Sequence, residues 1–329
     1  MNILIVLPAE LPAKLYGGTE RVVWCLAKSL AELGHNVFLL AKGGSICSFA
    51  QVIPINEHKK IIDQIPEYID VVHFHIFPEN IEECKKPYII TMHGNTNNTE
   101  EIFDVNTVFV SKNHAERHGS EVFVHNGLDW SFYTKPDLNT KRSYYHFLAK
   151  AAWRVKNVKG AIACIKKTRS ERLKVLGGVR FNFNMGVRLT FSPRVRFYGM
   201  VGGEEKDLLL NGSKGLIFPV RWNEPFGLAI IESLYYGCPV FGTPYGSLPE
   251  IVNDQVGFLS DQSELIAVQL ENNQYNRRLC HEYASDAFNS KKMANSYLAL
   301  YEKVLSGQQL NRDFPKLKEK QQEKFLPWS

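Results

Sequence analysis

The chain opens on an unbroken apolar run, Ile3-Leu4-Ile5-Val6-Leu7, that Pro8 stops. A run without polar alternation suits a strand buried on both faces. The period then changes. Between 19 and 33, Val22, Val23, Leu26, Leu30 and Leu33 recur at helical spacing, and Gly34 supplies a stop. Residues 36–41 return to a strand pattern, and further apolar strands are expected at 71–75, 88–92, 107–110 and 122–123. Such alternation predicts parallel strands joined by crossovers, a Rossmann-like half.

A polar linker at 132–143, marked by Thr134-Lys135-Pro136-Asp137, separates this half from a second alternation. There the expected elements are a strand at 145–149, a helix at 160–168, strands at 173–176, 195–198 and 215–218, a helix at 227–236 and a strand at 239–242. The two halves show no sequence repeat. Residues 181–192 fit neither period, and Arg180, Arg188, Arg194 and Arg196 around them are read as a solvated loop. A last helix at 291–305 carries Met293, Tyr297, Leu300, Tyr301 and Val304. The tail, 308–329, mixes Lys316, Lys318, Lys320 and Lys324 with Phe314, Phe325, Leu326 and Trp328. It is expected to pack on the first half or fray, with an interfacial contact to a membrane as the alternative.

The 329 residues suit two domains, since single cores usually stop growing below about 250–300 residues. No apolar stretch reaches the ~18 residues of a membrane span. The N-terminal run lacks a basic leader and a small-residue cleavage site, so it reads as a strand and not a signal peptide. Cys25, Cys47, Cys84, Cys164, Cys238 and Cys280 are scattered without a CxxC. They read as reduced core thiols of a cytoplasmic protein, not as a zinc or disulfide framework. The net charge of +5 suits anionic ligands or an anionic membrane surface but is a weak basis for nucleic acid, and no nucleic-acid partner is expected.

The densest chemistry lies in Glu224-Pro-Phe-Gly-Leu-Ala-Ile-Ile-Glu232. Glu224 falls before a helix N-terminus and Glu232 about two turns inside, with Gly237-Cys238-Pro239 as the helix stop. Two acceptor-only acids beside free first-turn amides suit a polyhydroxylated, phosphorylated ligand, although a solvated acid and a stray helix acid would look the same. Gly17-Gly18 at the start of the first helix lets backbone amides approach an anion, and the dinucleotide fingerprint G-x-G-x-x-G is absent. Thr91-Met92-His93-Gly94 ends a strand, where α/β sheets place ligands. His73 and His75 end the preceding strand and are read as alternating, so that at most one faces a cleft. A metal site built from these three histidines is not expected.

Glu-(seven residues)-Glu enclosing Pro-Phe-Gly, followed by Gly-Cys-Pro-Val, resembles the signature of family-4 retaining glycosyltransferases of the GT-B fold. Tyr245-Gly246-Ser247-Leu248-Pro249-Glu250 and Gly257-Phe258-Leu259 continue the likeness, which runs from Gly17 to Phe258. The family usually has Gly-Arg-x-x-x-x-Lys-Gly ahead of the first helix of its second domain. Arg154 and Lys159 match that spacing, with Trp153 in place of the glycine; Lys156 is read as a solvated neighbour.

The resemblance implies an α/β protein of two Rossmann-like domains facing across a cleft, with the last helix crossing back. The expected division is 1–142 plus about 306–329 against 143–305. It implies metal-independent sugar transfer from a nucleotide diphosphate sugar, UDP preferred, to a hydroxyl on a glycan or lipid-linked acceptor, in polysaccharide or glycoconjugate synthesis. No cofactor is implied. Arg154 and Lys159 would stabilise the leaving diphosphate, and Glu232 would accept from the ribose. Glu224 and the amides of Phe226, Gly227 and Leu228 would position the sugar. Gly17, Gly18 and His93 would complete the site, and the strand end at Met200 would contact the base. The implied location is cytoplasmic, with peripheral attachment to the inner membrane face as a variant. A nucleotide-sugar 2-epimerase and a non-catalytic nucleotide-sugar binder share this architecture and stay open.

Overall fold

The computed structural model describes residues 1–13, 17–183 and 188–329. They form two compact units, Met1–Asp129 with Phe288–Gln321 and Trp130–Ala287 with Gln322–Ser329.

In the first unit the order is β1 (Asn2–Leu7), α1 (Gly18–Glu32), β2 (Asn36–Ala41), β3 (Gln51–Pro54), β4 (Val71–Phe74), β5 (Tyr88–Met92), β6 (Thr107–Phe109) and α2 (Lys112–Arg117). The strands make a parallel sheet in the order β3-β2-β1-β4-β5-β6. Strand order reverses between β1 and β4, the switch point at which parallel sheets open a crevice beyond their carboxyl ends. The apolar run of β1 lies at the centre, with Ile3 to Val6 essentially inaccessible. Residues 122–123, expected as a strand, contribute only a bridge from Phe123 to Phe109.

The second unit follows as β7 (Tyr144–Leu148), α3 (Val158–Lys167), β8 (Leu173–Leu176), β9 (Phe181–Asn182), β10 (Arg188–Leu189), β11 (Val195–Phe197), α4 (Gly203–Asn211), β12 (Ser213–Phe218), α5 (Leu228–Tyr235), β13 (Val240–Gly242), α6 (Leu248–Ile251), β14 (Gly257–Leu259), α7 (Ser263–Glu271) and α8 (Arg277–Ala287). Its parallel sheet runs β11-β8-β7-β12-β13-β14, with the switch between β7 and β12. Phe147, Val175, Ile217 and Phe241 from this sheet pack with Ile162 and Ile165 of α3 and Ile266 and Leu270 of α7. The stretch read as a solvated loop contains the antiparallel pair β9–β10. Helix α5 stops where expected: Gly237 takes φ +67°, and the Gly237 and Cys238 amides donate to the Leu234 and Ser233 carbonyls.

The chain then re-enters the first unit as α9 (Ser290–Leu305). Ser290 bonds Ser29 of α1 at 2.8 Å, the Tyr297 hydroxyl meets Thr91 at 3.0 Å, and Tyr301 meets His73 at 2.8 Å. These contacts place residues 288–305 in the first unit, not in the second as the expected division had them. The expected boundary at 142 also moves. Trp130 stacks flat on Tyr235 at 4.3 Å, and the Thr134 amide donates to Asp207, so this linker is fastened to the second unit. The tail divides. Lys316 and Lys318 donate backbone bonds to His118 and Arg117 in the first unit, whereas 322–329 lie on the second. Of the apolar residues considered for a membrane contact, Phe325, Leu326 and Trp328 are half-buried there, whereas Phe314, in the first unit, is 60% exposed. Among the described residues no helix is long and apolar enough to cross a membrane.

Candidate functional site

In the second unit the loops after β7 and β12 flank the switch point, and these loops with the helices α3 and α5 that follow them carry most of the singled-out residues. After β7 the chain turns through Arg154–Lys156 and enters α3, whose cap is Asn157 at φ 55° with its side chain accepting from the Gly160 amide. Arg154 and Lys159 are both exposed. They line a cavity of about 310 Å³ together with Asn182, Arg188, Arg221 and Phe325. Among the described residues no carboxylate is within ion-pair distance of Arg154, Lys159 or Arg221. The cavity therefore presents positive charge that the described residues do not neutralise, the condition for taking an anion.

Lys156 is not the solvated neighbour that was expected. It is buried, and its ammonium donates to both oxygens of Glu224, at 2.8 and 2.6 Å. It also sits over the rings of Trp222 and Phe218, 4.9 and 5.4 Å from their centroids, while the Trp222 indole donates to Glu224 Oε2 at 2.8 Å. Burial of either charge alone would be costly, and the pairing offsets that cost. The pair bridges the loops after β7 and β12. The turn bearing Glu224 is braced from behind: Gly246 takes φ +64°, and a Cβ there would lie 2.2 Å from the Glu224 nitrogen. Ser247 donates its amide to the Glu224 carbonyl and its hydroxyl to that of Phe226. The Tyr245-Gly246-Ser247 motif thus shapes the acidic turn.

Gly227, at φ 88°, precedes α5, and Leu228 opens the helix. Glu232 lies deep inside α5, 2% exposed, and accepts from Lys206 at 2.5 Å and from the Tyr133 hydroxyl at 3.0 Å. Neither glutamate, nor Phe226, Gly227 and Leu228, lines the cavity. Met200 follows β11 beyond Gly199, is 44% exposed and also stands outside the cavity wall. Arg221, Lys206 and Tyr133 escaped the sequence reading. Arg221 could have been noticed as a cation three residues before Glu224; Lys206 and Tyr133 carry no local signal.

Gly17, Gly18 and His93 belong to the first unit. Gly17 is extended, and a Cβ on it would fall 2.6 Å from Glu20 Oε2, so this acid folds back on the start of α1. The preceding Lys14, Leu15 and Tyr16 lie outside the described residues. His93 Nε2 pairs with His75 Nδ1 at 2.8 Å, and burial lowers its pKa to about 4. His73 and His75 share one face instead of alternating, with rings 4.0 Å apart, because positions two apart on a strand point the same way. Burial holds both well below the usual histidine range. Among the described residues no group of three or more histidine, cysteine or acidic side chains could hold a metal ion.

Residues 134–287 match the family described as Glycosyl transferases group 1. Among solved structures, the fold is similar to that of AviGT4, a glycosyltransferase involved in avilamycin A biosynthesis, with a TM-score of 0.73 and 22% identity over 93% of this chain and 98% of that one. Sucrose-phosphate synthase from Thermosynechococcus elongatus gives 0.69 and 16% over 93% and 99%. HepE from Anabaena, in complex with UDP and glucose, gives 0.64 and 14% over 92% and 99%. A 41.2 kDa protein in the cps region of Klebsiella pneumoniae is 31% identical over 115 residues, which spans 32% of either chain. The match to Glycosyl transferases group 1 thus lies on residues 134–287, and the two parallel sheets share the GT-B fold of these solved glycosyltransferases.

Proposed function

We propose that the protein moves a sugar from a nucleotide diphosphate sugar to a hydroxyl acceptor with retention of anomeric configuration. One observation carries the reading: Arg154 and Lys159 line a cavity at the switch end of the sheet and have no carboxylate partner among the described residues. As the glycosidic bond breaks, negative charge grows on the departing diphosphate, and fixed cations stabilise that state more than the ground state. In this scheme the acceptor hydroxyl attacks from the side of the leaving group, and a diphosphate oxygen takes its proton. Glu224, with both oxygens held by Lys156, is better suited to fixing the donor sugar than to acting as a nucleophile. Glu232 is assigned to the ribose, with Lys206 and Tyr133 holding its carboxylate in place.

UDP is the first nucleotide to test, since HepE, of the same fold, was solved with UDP and glucose. The likeness to a cps-region protein supports a surface polysaccharide or glycoconjugate precursor as acceptor. The test is a nucleotide-release screen over UDP-, GDP- and ADP-sugars. Arg154→Ala should lower turnover with the active donor by roughly 10²–10³, the effect of losing one oxyanion-type donor. Normal turnover in that variant would sink the assignment. An epimerised sugar formed from donor and enzyme alone would instead favour the epimerase reading.

A further inference from the structure

The cavity has one wall from far away in sequence. Phe325 reaches it from the segment 322–329, and its ring centroid lies 4.9 Å from the Arg154 guanidinium carbon and 5.3 Å from that of Arg221. The segment is tied down along its length. The Leu326 amide donates to the Arg221 carbonyl at 2.9 Å, and Arg221 Nε donates to the Leu326 carbonyl at 2.7 Å. Tyr245 donates its hydroxyl to the Pro327 carbonyl. Trp328 joins the core beneath α3, and Ser329 exchanges backbone bonds with Asp261 and Ser263. Arg221 is in turn fastened to the β7 loop, where its amide donates to the Val155 carbonyl at 2.7 Å.

We infer that residues 322–329 are a built part of the diphosphate site, with Phe325 positioning Arg154 and Arg221, and that Arg221 is a third cation on the leaving group. The inference rests on the reading of the cavity given above. A flexible guanidinium loses rotamer freedom when it grips a phosphate. A ring face that holds it beforehand removes part of that loss, and the face attracts the cation without consuming the charge the ligand needs. A carboxylate in the same place would orient the arginines but neutralise them. An aromatic side chain orients them and leaves the field intact.

The test compares wild type with Phe325→Ala, Phe325→Leu, Phe325→Tyr and Arg154→Ala by calorimetric titration with UDP, GDP and ADP and with the matching nucleosides. Arg154→Ala should lose at least tenfold in affinity for the diphosphate that binds. Phe325→Ala should lose about fivefold for the diphosphate, as expected of two cation–ring contacts, and nothing for the nucleoside. Phe325→Leu, which keeps apolar bulk and hence the melting temperature, should lose as much as Phe325→Ala, and Phe325→Tyr should recover wild-type binding. If Phe325→Leu binds diphosphate as wild type does while Arg154→Ala is impaired, Phe325 has no positioning role. If Arg154→Ala is itself unimpaired, the reading of the cavity fails, and this inference with it.

Discussion

At the scale of single residues, the Lys156–Glu224 pair decides how the acidic turn behaves. Both members are buried, so removing one strands the other's charge. Lys156→Met should destabilise the protein by about 3–5 kcal/mol, whereas Lys156→Met combined with Glu224→Met should recover much of that loss. Urea unfolding of the two variants checks the prediction. The double variant should stay inactive, since Glu224 is assigned to the donor sugar. Gly246 makes a second case. Its φ of +64° and its approach to Glu224 leave no room for a side chain. Gly246→Ala should cost more than about 1 kcal/mol and disturb turnover together with stability. Equal melting temperatures for Gly246→Ala and wild type would contradict it. The distance between Lys156 and Glu224 along the chain explains why this pairing was invisible in the sequence. A lysine flanked by Arg154 and Lys159 looks like one more surface cation until the fold shows that it points under Trp222.

Among the elements, the carboxyl ends of β4 and β5 gather buried histidines that are neutral in the folded state. His73, His75 and His93 all have pKa values pushed below the usual 6.5 by burial, His93 to about 4. A depressed folded-state pKa means that the unfolded chain takes up protons first as pH falls. The stability these groups support is present above pH 6.5 and declines as pH falls from there through about 4. The melting temperature of the first unit should therefore drop between pH 7.5 and 4.5, and His75→Gln should flatten the drop. A flat profile for the wild type would count against it. Periodicity made the central strands readable, because a parallel strand covered on both faces must be apolar throughout. It missed β3, a half-exposed edge strand ending on Pro54, and α2, whose Lys112-Asn113-His114-Ala115-Glu116-Arg117 shows no apolar stripe, and it placed no helix at α4, α7 or α8. The acid pair and the Arg154–Lys159 spacing were readable because they are local. Arg221, Lys206 and Phe325 reach their places through tertiary packing, which no local window records.

Across the whole molecule, the chain passes from one unit to the other at 129/130, at 287/288 and again at 321/322. The last passage delivers Trp328 to the core beneath α3, where a Cβ on Gly160 would lie 2.9 Å from its ring. Trp328→Ala should cost about 2 kcal/mol, less than the ~3–5 of a fully enclosed aromatic because the ring is only half-buried. Hydrogen exchange should rise along α3 and leave α1 unchanged; protection lost equally in both units would show that the segment is not tied to the second alone. These three passages also bear on synthesis. Domains usually fold as units while the chain emerges, the N-terminal one first. Here neither unit can finish in that way. The first must wait for α9 to cover α1 and β5, and the second for residues 322–329 to cover α3. Both cores therefore close late, and a nascent chain that lacks these segments exposes apolar surface on each unit.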